Sequence, residues 1–198
     1  MKRLLLVILS LCLLASMFGC EKNKEVLEIS EEEALDVLKE LVPASYEINV
    51  MFFGEGLPKT DENEYEDTNY VPVDTAKSDH STIISMKIAA EMVYSMNYLS
   101  NVYVIMFEGT KTTESDGLLD NDVSPRYKEI ANELCIDASY VPYNILGKLS
   151  VESVSISKKT ESYVIVEAKC LDEEDNEVDK RFFLTLDEGK WRLDGPTF

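Results

Sequence analysis

The sequence predicts an α+β domain in which helices are followed by a curved antiparallel meander of strands. Three observations predict this class: a helix-capping pattern at residue 30 opens an apolar run with helical spacing, a second helical run covers 81–107, and residues 149–193 alternate between apolar and polar side chains. With 45% hydrophobic residues and only 8 Gly and 6 Pro among 198, the composition excludes a disordered or collagen-like chain.

The first helix is predicted to begin at Ser30, because Ser30 and Glu33 form a capping box. The apolar residues that follow share one helical face: Ala34, Leu35, Leu38, Leu41 and Val42. Since proline has no backbone N–H, we expect Pro43 to kink or restart the helix. The helix should then continue over 46–53 and stop at Gly54-Glu55-Gly56. The polar, acidic segment 57–80 is expected to be a long surface excursion.

The second helical region covers 81–107 and carries two apolar stripes with helical spacing. The first contains Ile84, Ile88, Met92 and Tyr94–Ser95, and the second contains Leu99, Val102, Ile105 and Met106. Stripes of this kind indicate the packed face of a helix. Asn97 or Asn101 is expected to mark the join between the two helices. Residues 126–136 fit either a short helix or a pair of short strands.

The last part of the chain predicts the meander. Its clearest strand covers 163–171, with Val164, Val166, Ala168 and Cys170 facing inward. Leu149 and Val151 share one phase while Val154 and Ile156 share the other, which predicts a β-bulge between the two pairs. The alternation continues after the turns at 172–177 and 187–189 with Phe182, Leu184, Leu186, Trp191 and Leu193.

Residues 1–19 have the three parts of an export signal. Lys2 and Arg3 precede an apolar stretch that begins at Leu4, and a short segment then ends at Gly19-Cys20. The uncharged stretch from Leu4 to Cys20 has 17 residues, fewer than the ~20 that cross a bilayer. A cleaved signal is therefore favoured over an uncleaved anchor.

A small residue followed by Cys at the end of an apolar segment resembles the lipobox of bacterial lipoproteins. The resemblance implies that Cys20 receives a diacylglyceryl group, with acyl chains of the palmitate type, and becomes the first mature residue. An ordinary secreted protein that is cut nearby is the alternative. The chain is thus expected to comprise a lipoprotein signal peptide (1–19), the lipidated Cys with a tether (20–29) and one extracytoplasmic α+β domain (30–198), held at the cell membrane.

The chain is strongly acidic, with 19 Lys and Arg against 38 Asp and Glu and a net charge of −19. Removal of residues 1–19 takes away Lys2 and Arg3 and no acid, which leaves a net charge of −21. This charge argues against nucleic acid as a partner, because binding a phosphate backbone needs a basic face. Anionic headgroups would also repel the domain, so the lipid on Cys20 must hold it at the membrane.

Two cysteines remain in the exported domain once Cys12 and Cys20 are set aside. Cys135 and Cys170 could form a disulfide, a bond that is common outside the cytoplasm. It would close a loop of about 34 residues and stabilise the fold by ~3–4 kcal/mol. They could equally be two small buried hydrophobic residues. The sequence leaves both alternatives open.

The order of elements, closing with Lys190-Trp191-Arg192-Leu193-Asp194, resembles the NTF2-like or cystatin-like architecture. The chain is also similar to uncharacterised lipoproteins of Gram-positive gut bacteria, which carry stretches like 53–58 and the closing Trp-Arg-Leu-Asp. NTF2-like domains enclose a cone between sheet and helices that often serves as a pocket. The resemblance implies that six aromatic residues could line it, with plain core packing as the alternative: Phe52, Phe53, Tyr94, Tyr98, Phe183 and Trp191. Tyr46, Glu55 and Arg192 are polar residues near them in sequence.

No catalytic, cofactor or metal motif stands out. The single histidine, His80, lies between Asp79 and Ser81, and a catalytic triad is assembled by the fold and rarely from consecutive residues. The acidic clusters 116–122 and 172–175 lack the D-x-[DN]-x-[DN]-G pattern of a calcium loop. We therefore expect no catalytic residue, no cofactor and no metal site.

Three functions are compatible with these observations. The first is a non-catalytic, lipid-anchored domain that binds a small ligand or an envelope protein. The second is an NTF2-like enzyme with carboxylate and tyrosine acid–base chemistry, which requires an Asp or Glu deep in the cone with a raised pKa. The third is a structural module that forms a homodimer through an open sheet face.

The lipid assignment predicts the behaviour of a Cys20→Ala variant. Without the thiol, the chain should either leave the membrane fraction or accumulate as an uncleaved precursor, as measured by fractionation and by the mass of the N-terminal peptide. Processed protein that remains in the membrane fraction despite Cys20→Ala would refute lipidation at this residue.

Overall fold

The computed structural model describes residues 26–60, 65, 68–110, 123–145 and 147–198. In these ranges the chain has three α-helices and two antiparallel sheets, which confirms the α+β class. The helices are α1 (Glu31–Phe52), α2 (Ile83–Glu91) and α3 (Met96–Tyr103), and α3 continues into a π-helical turn, Val104–Glu108. The strands are β1 (Tyr70–Pro72), β2 (Tyr127–Ile130), β3 (Glu133–Asp137), β4 (Ser150–Lys159), β5 (Val164–Leu171), β6 (Glu177–Asp187) and β7 (Lys190–Leu193). The predicted signal, Cys20 and the acidic cluster 116–122 lie outside the described residues.

Helix α1 begins at the predicted residue, although the Glu33 carboxylate of the predicted capping box accepts from the Trp191 indole and not from the Ser30 N–H. Ser30 is its N-cap, and the Ser30 hydroxyl accepts a hydrogen bond from the backbone N–H of Glu33 at 3.1 Å. The expected restart at Pro43 does not occur, because the helix is continuous from residue 31 to residue 52. Its buried face continues on both sides of the proline, so packing keeps the two halves in one helix.

The C-terminal end of α1 is closed by hydrogen bonds that come from two other segments. The carbonyl of Met51 accepts from the Tyr127 hydroxyl at 2.7 Å, and that of Phe52 accepts from Nη1 of Arg126 at 2.6 Å. Nη2 of Arg126 donates to the carbonyl of Gly54 at 2.6 Å. Helix ends leave their last carbonyls without intrahelical partners, so β2 and the residue before it complete this end of the helix.

The four-stranded sheet, in the order β4-β5-β6-β7, is the predicted meander. The four inward residues predicted for β5 are all buried. The register of β4 against β5 shifts between Val151 and Ser153, which confirms the predicted bulge. Leu186 is an exception to the predicted alternation, because it is 46% exposed and lies beyond the edge of the core, near the β6–β7 turn.

The three-stranded sheet, in the order β1-β3-β2, is not a part of the predicted meander. Strands β2 and β3 settle the open question at 126–136 in favour of strands, joined by a two-residue turn in which Ala131 and Asn132 have positive φ. The prediction that 57–80 is only a surface excursion is wrong at β1, where Tyr70 and the following Val73 are buried. A three-residue strand is too short for alternation to reveal it.

The break between α2 and α3 lies at residues 92–95, before the Asn97 or Asn101 that the sequence favoured. Ser95 caps α3 through its side chain, and its N–H donates to the carbonyl of Leu193 at 2.9 Å. The N–H of Leu193 in turn donates to the carbonyl of Val93 at 3.0 Å. The chain breaks here because the linker pairs with the edge of β7.

The prediction that Ile84, Ile88 and Met92 form the packed face of α2 is wrong. Met86 and Ala90 form the buried face, whereas Ile84, Ile88 and Met92 are 69%, 57% and 65% exposed. Met96, at the start of α3, is 46% exposed. We call these four exposed residues the α2 stripe. The helix is apolar on nearly all sides, so periodicity alone could not say which face is covered.

One hydrophobic core contains residues from all three helices and both sheets. Helix α1 packs on β4, and the inner faces of β5 and β6 contribute Val164, Val166, Phe182 and Leu184 to the same core. Tyr127 and Ile136 bring the three-stranded sheet into it. Within the described segments, no helix is both long and apolar enough to cross a membrane.

Arg126 is predicted to be important for stability, because Arg126→Met would leave the carbonyls of Phe52 and Gly54 without their donors. We expect the free energy of unfolding to fall by about 2–4 kcal/mol in chemical denaturation. Arg181→Met is the matched control, since Arg181 pairs with Glu167 on the surface at 2.8 Å and should contribute less than ~1 kcal/mol. Equal losses in the two variants would contradict the role assigned to Arg126.

Candidate functional site

The six aromatic residues predicted to line a cone lie at several places in the fold. Phe52 and Phe53 end α1, where Phe53 contacts the ring of Phe198 with centroids 5.1 Å apart. Tyr94 stacks on Tyr98 at 4.9 Å, in the linker and the first turn of α3.

The other two predicted aromatic residues lie on the four-stranded sheet and make other contacts. Trp191 donates from its indole N–H to Glu33 at 3.1 Å, at the start of α1. Phe183 lies on the opposite face of β6 from the buried Phe182 and contacts Tyr163, with centroids 5.9 Å apart. The structure therefore pairs Phe52 with Phe53 and Tyr94 with Tyr98, but it does not gather all six around one space.

The space between α1 and the four-stranded sheet is filled by the core. At one end of it remains a cavity of about 10 Å³, lined by Tyr46, Leu149 and Phe198 among others. That volume holds about one water molecule. Glu55 is exposed in the turn after α1, and Arg192 donates to the carbonyl of Glu91 at 2.8 Å, so neither joins Tyr46 at this cavity.

Four buried polar side chains meet beside this cavity. The hydroxyl of Thr197 lies 2.7 Å from the hydroxyl of Ser45 and 2.7 Å from Nδ2 of Asn49. The hydroxyl of Tyr94 donates to Oδ1 of Asn49 at 2.8 Å. Ser45 donates to the carbonyl of Val42 at 2.7 Å, so the Thr197 hydroxyl donates to Ser45, and the three hydroxyls and the Asn49 amide nitrogen each donate one hydrogen bond within the protein.

This polar group is structural, because its hydrogen bonds are used within the protein. Burial raises the pKa of Tyr94 above its ordinary value, so the phenol stays neutral and continues to donate. The sequence analysis missed Ser45, Asn49 and Thr197. The signal available was weak: Ser45 and Asn49 are small polar residues, spaced by four, on the buried face of α1.

An open cleft of about 270 Å³ lies on the side of α1, between its C-terminal half and the segment 77–80. We call it the His80 cleft. Its apolar lining comes from Ile48, Val50, Met51, Leu57 and Pro58, and its polar lining from Glu47, Lys77, Ser78, Asp79 and His80. The mixture of an apolar surface with a few polar groups is typical of small-molecule sites.

The turn beside the cleft is fixed by the backbone around Gly56. Gly56 has a φ of +84°, which favours glycine, and a Cβ there would lie 2.6 Å from Nη2 of Arg126. The hydroxyl of Tyr127 accepts from the N–H of Leu57 at 3.1 Å. The segment that lines the cleft is therefore held by the same two residues that close α1.

The opposite side of the cleft is fixed by Asp74. The Asp74 N–H donates to the carbonyl of Pro58 at 2.8 Å, and the Asp74 carboxylate binds Lys77 Nζ at 2.7 Å and the N–H of Ala76 at 3.1 Å. The hydrogen bond from Lys77 lowers the pKa of the Asp74 carboxyl. These contacts order the loop before any ligand binds.

His80 has an unusual environment at this cleft. The hydroxyl of Ser78 accepts from the His80 N–H at 3.0 Å and donates to the His80 carbonyl at 2.9 Å. Nδ1 of the imidazole is buried without a hydrogen-bond partner in the described part of the chain. A buried polar atom in this state costs about 1–3 kcal/mol, so its occurrence beside a cleft is informative.

No carboxyl group is buried among the described residues. Ser45, Asn49, Ser95, Arg126 and Thr197 are their buried polar or charged residues, and none carries a carboxyl group. They also contain no group of three or more His, Cys, Asp or Glu that could hold a metal ion.

The carboxylate of Asp172 is engaged in its own turn, which lies in the acidic cluster 172–175. It accepts from the N–H of Glu174 at 2.9 Å and from the N–H of Asn176 at 2.9 Å. These hydrogen bonds, with that from the Asn176 side chain foremost, lower the pKa of the Asp172 carboxyl. The turn is thus closed by protein donors.

Cys135 and Cys170 are buried in different sheets, in β3 and β5, and their sulfurs are not bonded to each other. The structure therefore favours the second alternative, in which the two residues are separate buried side chains. Burial also raises the pKa of the Cys170 thiol, which keeps it protonated and weakly reactive.

No protein-family model matches this chain, and no curated protein is similar enough to be a relative.

Buried tyrosines predict that the fold is sensitive to alkaline pH. Desolvation raises the pKa of Tyr70 and of Tyr127 to about 12, above the unfolded value of about 10. The neutral phenols thus contribute stability that is complete below about pH 10 and is lost as the pH rises toward 12. Denaturation at pH 8, 10 and 11 should show this loss, which for Tyr127 reaches about 1.4 kcal/mol by pH 11.

Two variants test the source of this loss. Tyr127→Phe should lower stability at pH 8 but flatten its decline above pH 10, because the titrating group is gone. Tyr143→Phe, at a residue that is 64% exposed, should leave the decline unchanged. A decline that is identical in wild type and in Tyr127→Phe would contradict the assignment.

Proposed function

We propose that this protein is a lipid-anchored extracytoplasmic domain that binds a small ligand in the His80 cleft without catalysing a reaction. The anchor is the lipid predicted on Cys20, and the domain acts at the outer face of the cell membrane. The unpartnered Nδ1 of His80, beside an ordered cleft with an apolar surface, is the observation that carries the binding role.

The environment of His80 favours binding over catalysis. An imidazole that acts as a general base needs a group that orients it and a nucleophile within reach. Asp79 and His80 make no hydrogen bond to each other among the described residues, and the Ser78 hydroxyl is occupied by the backbone of His80. These residues can contact a ligand, but they lack the oriented base and the nucleophile of a hydrolase.

Charge indicates the class of ligand. The mature chain has a net charge of −21, which attracts cations over long distances. At the cleft, Lys148 pairs with Glu47 at 2.8 Å and Lys77 pairs with Asp74 at 2.7 Å, whereas Asp79 has no ion pair in the described part of the chain. The supported ligand is a small amphipathic cation, with an apolar body against Val50 and Pro58 and an ammonium group near Asp79.

The finer assignment of the fold is part of the same proposal. Helix α1 packed across a four-stranded meander resembles the NTF2-like and cystatin-like arrangement. The three-stranded sheet is an addition to it, and in this chain that sheet supports the His80 cleft. The ligand site would then lie outside the cone, since side chains occupy the cone.

Hexylamine and 1-hexanol are suitable probes, because they share a chain length and differ in charge. We expect saturable binding of hexylammonium to the detergent-solubilised full chain in calorimetry, and weaker binding of hexanol. Asp79→Asn should weaken hexylammonium binding about tenfold, the loss of one charge-assisted hydrogen bond, and should leave hexanol binding unchanged.

Asp36→Asn is the matched control, because Asp36 is an exposed acid of α1 about 16 Å along the helix from Glu47. It changes the net charge equally and should leave both affinities as they are. If both variants weaken hexylammonium binding equally, net charge alone explains the change, and this result would contradict a specific site at Asp79. Turnover of any envelope substrate that is lost with His80→Gln would contradict the non-catalytic role.

A further inference from the structure

The α2 stripe is an unpartnered apolar surface. Ile84, Ile88 and Met92 follow one another at intervals of four residues, opposite the buried Met86 and Ala90. A helix that is apolar on nearly all sides is normally covered on nearly all sides. Contiguous exposed apolar surface of this kind marks a place where the protein meets something else.

The surface around the stripe is also unusual in charge. Lys87 and Glu91 are the only charged residues between 81 and 107, in a chain that is 29% charged. Both turn toward α3: Lys87 Nζ lies 4.7 Å from the ring centre of Tyr103, and Glu91 accepts from the Tyr103 hydroxyl at 3.2 Å. The stripe is therefore an uncharged face on a very acidic domain.

Met96, the last residue of the α2 stripe, lies at the end of the domain where the tether enters. The N–H of Leu27 donates to the carbonyl of Thr160, in the β4–β5 turn, at 2.8 Å. The β6–β7 turn lies at the same end of the sheet, and its Asp187 accepts from the N–H of Met96 at 3.2 Å. The path from Leu27 across the four strands to α2 is roughly 20 Å, at ~4.8 Å for each strand.

The tether is long enough to bring this face to a bilayer. Six residue steps separate Cys20 from Val26, and a fully extended chain of that length spans at most ~20 Å. That reach equals the distance across the sheet. A lipid at Cys20 can therefore lie in the same membrane surface that the α2 stripe contacts.

The local charges at this end also suit a lipid surface. Four acids lie with three bases around the C-terminal end of α2, the start of α3 and the β6–β7 turn: Glu91, Asp187, Glu188 and Asp194, with Lys87, Lys190 and Arg192. Anionic headgroups repel the strongly acidic remainder of this domain, but here they meet a net charge of only −1.

A second copy of the chain is a poorer occupant. The four side chains of the stripe offer roughly 450 Å² of surface, well below the ~800 Å² that each partner contributes to a stable interface. A bilayer does not need the larger area, because an acyl anchor already holds the domain at high local concentration and a weak second contact is then sufficient.

We propose that the α2 stripe lies against the membrane, with Ile84, Ile88, Met92 and Met96 at the boundary between headgroups and acyl chains. This inference rests on the proposed lipid anchor at Cys20. The lipid and the stripe are two attachment points on one domain, and together they fix its orientation on the surface.

Site-specific labels test the contact in the full chain, purified with its lipid and reconstituted into vesicles of phosphatidylethanolamine and phosphatidylglycerol. A fluorophore is attached at Ile88→Cys or, as the control, at Val141→Cys, a residue that is 81% exposed and lies outside α2. Cys135 and Cys170 are buried and should not react in the folded protein. The label at 88 should be quenched by brominated lipid and protected from iodide, and the label at 141 should behave in the opposite way.

Each other result has a defined meaning. Quenching by iodide at 88 as strong as at 141 would overturn the proposal. Protection at 88 from both quenchers, together with cross-linking between copies through that residue, would overturn it in favour of self-association. A label at Met96→Cys should lose its lipid-phase quenching when Ile84→Gln and Ile88→Gln are added, and persistence of that quenching would also contradict the proposal.

Failure of the anchor is recognised separately. If the purified full chain carries no lipid on Cys20, as determined by mass spectrometry, the proposed anchoring fails whatever the label at 88 reports. If Cys20 is lipidated and the label at 88 remains in water, the anchor stands and the stripe contact is wrong.

Discussion

The fold depends on the way Arg126 and Tyr127 complete the C-terminal end of α1. Arg126 is only 2% exposed and makes no ion pair in the described part of the chain. Its two Nη groups donate hydrogen bonds to the carbonyls of Phe52 and Gly54. The negative end of the helix dipole partly compensates its charge. Tyr127 begins β2 of the three-stranded sheet and Arg126 directly precedes it, whereas α1 packs on the four-stranded sheet. The hydrogen bonds from Arg126 and Tyr127 to the end of α1 therefore join the two sheets through one helix. It also holds the Gly56 turn, on which the His80 cleft depends.

The other end of the chain is joined to the same helix by the buried hydroxyl of Thr197. A network in which every donor has an acceptor specifies one arrangement, since any shift would leave a polar group unpaired in the core. Thr197 therefore fixes the C-terminal tail against Ser45 and Asn49, and Phe53 packs on Phe198. Two buried side-chain atoms of the described residues lack a hydrogen-bond partner, Nε of Arg126 and Nδ1 of His80. The Arg126 guanidinium is already held by its two Nη groups at the end of α1, whereas His80 lines the cleft, which makes the imidazole the candidate binding group.

The sequence predicted the elements whose signal is local. Ser30 and Glu33 marked the start of α1, and the two-residue alternation of β5 placed Val164 and Val166 in the core, because both patterns follow from backbone geometry. The prediction that Ile84 and Ile88 are packed was wrong, because helical spacing identifies an apolar face but does not say whether another element covers it. Arg126 and Thr197 could not be identified at all, since their partners are more than seventy residues away and no periodic pattern accompanies them. The His80 cleft joins three separate segments for the same reason.

The acidity and the α2 stripe together bear on orientation more than on affinity. A uniformly acidic domain on a lipid tether would be pushed away from anionic headgroups in every orientation. One uncharged apolar face removes that repulsion in a single orientation. Because the Debye length of about 8 Å at physiological salt is small compared with a domain of this size, each face interacts with the membrane largely independently of the others. Repulsion on the other faces then favours the same orientation that contact on α2 favours. The charge that keeps the domain off the membrane elsewhere would therefore help to hold it in one orientation.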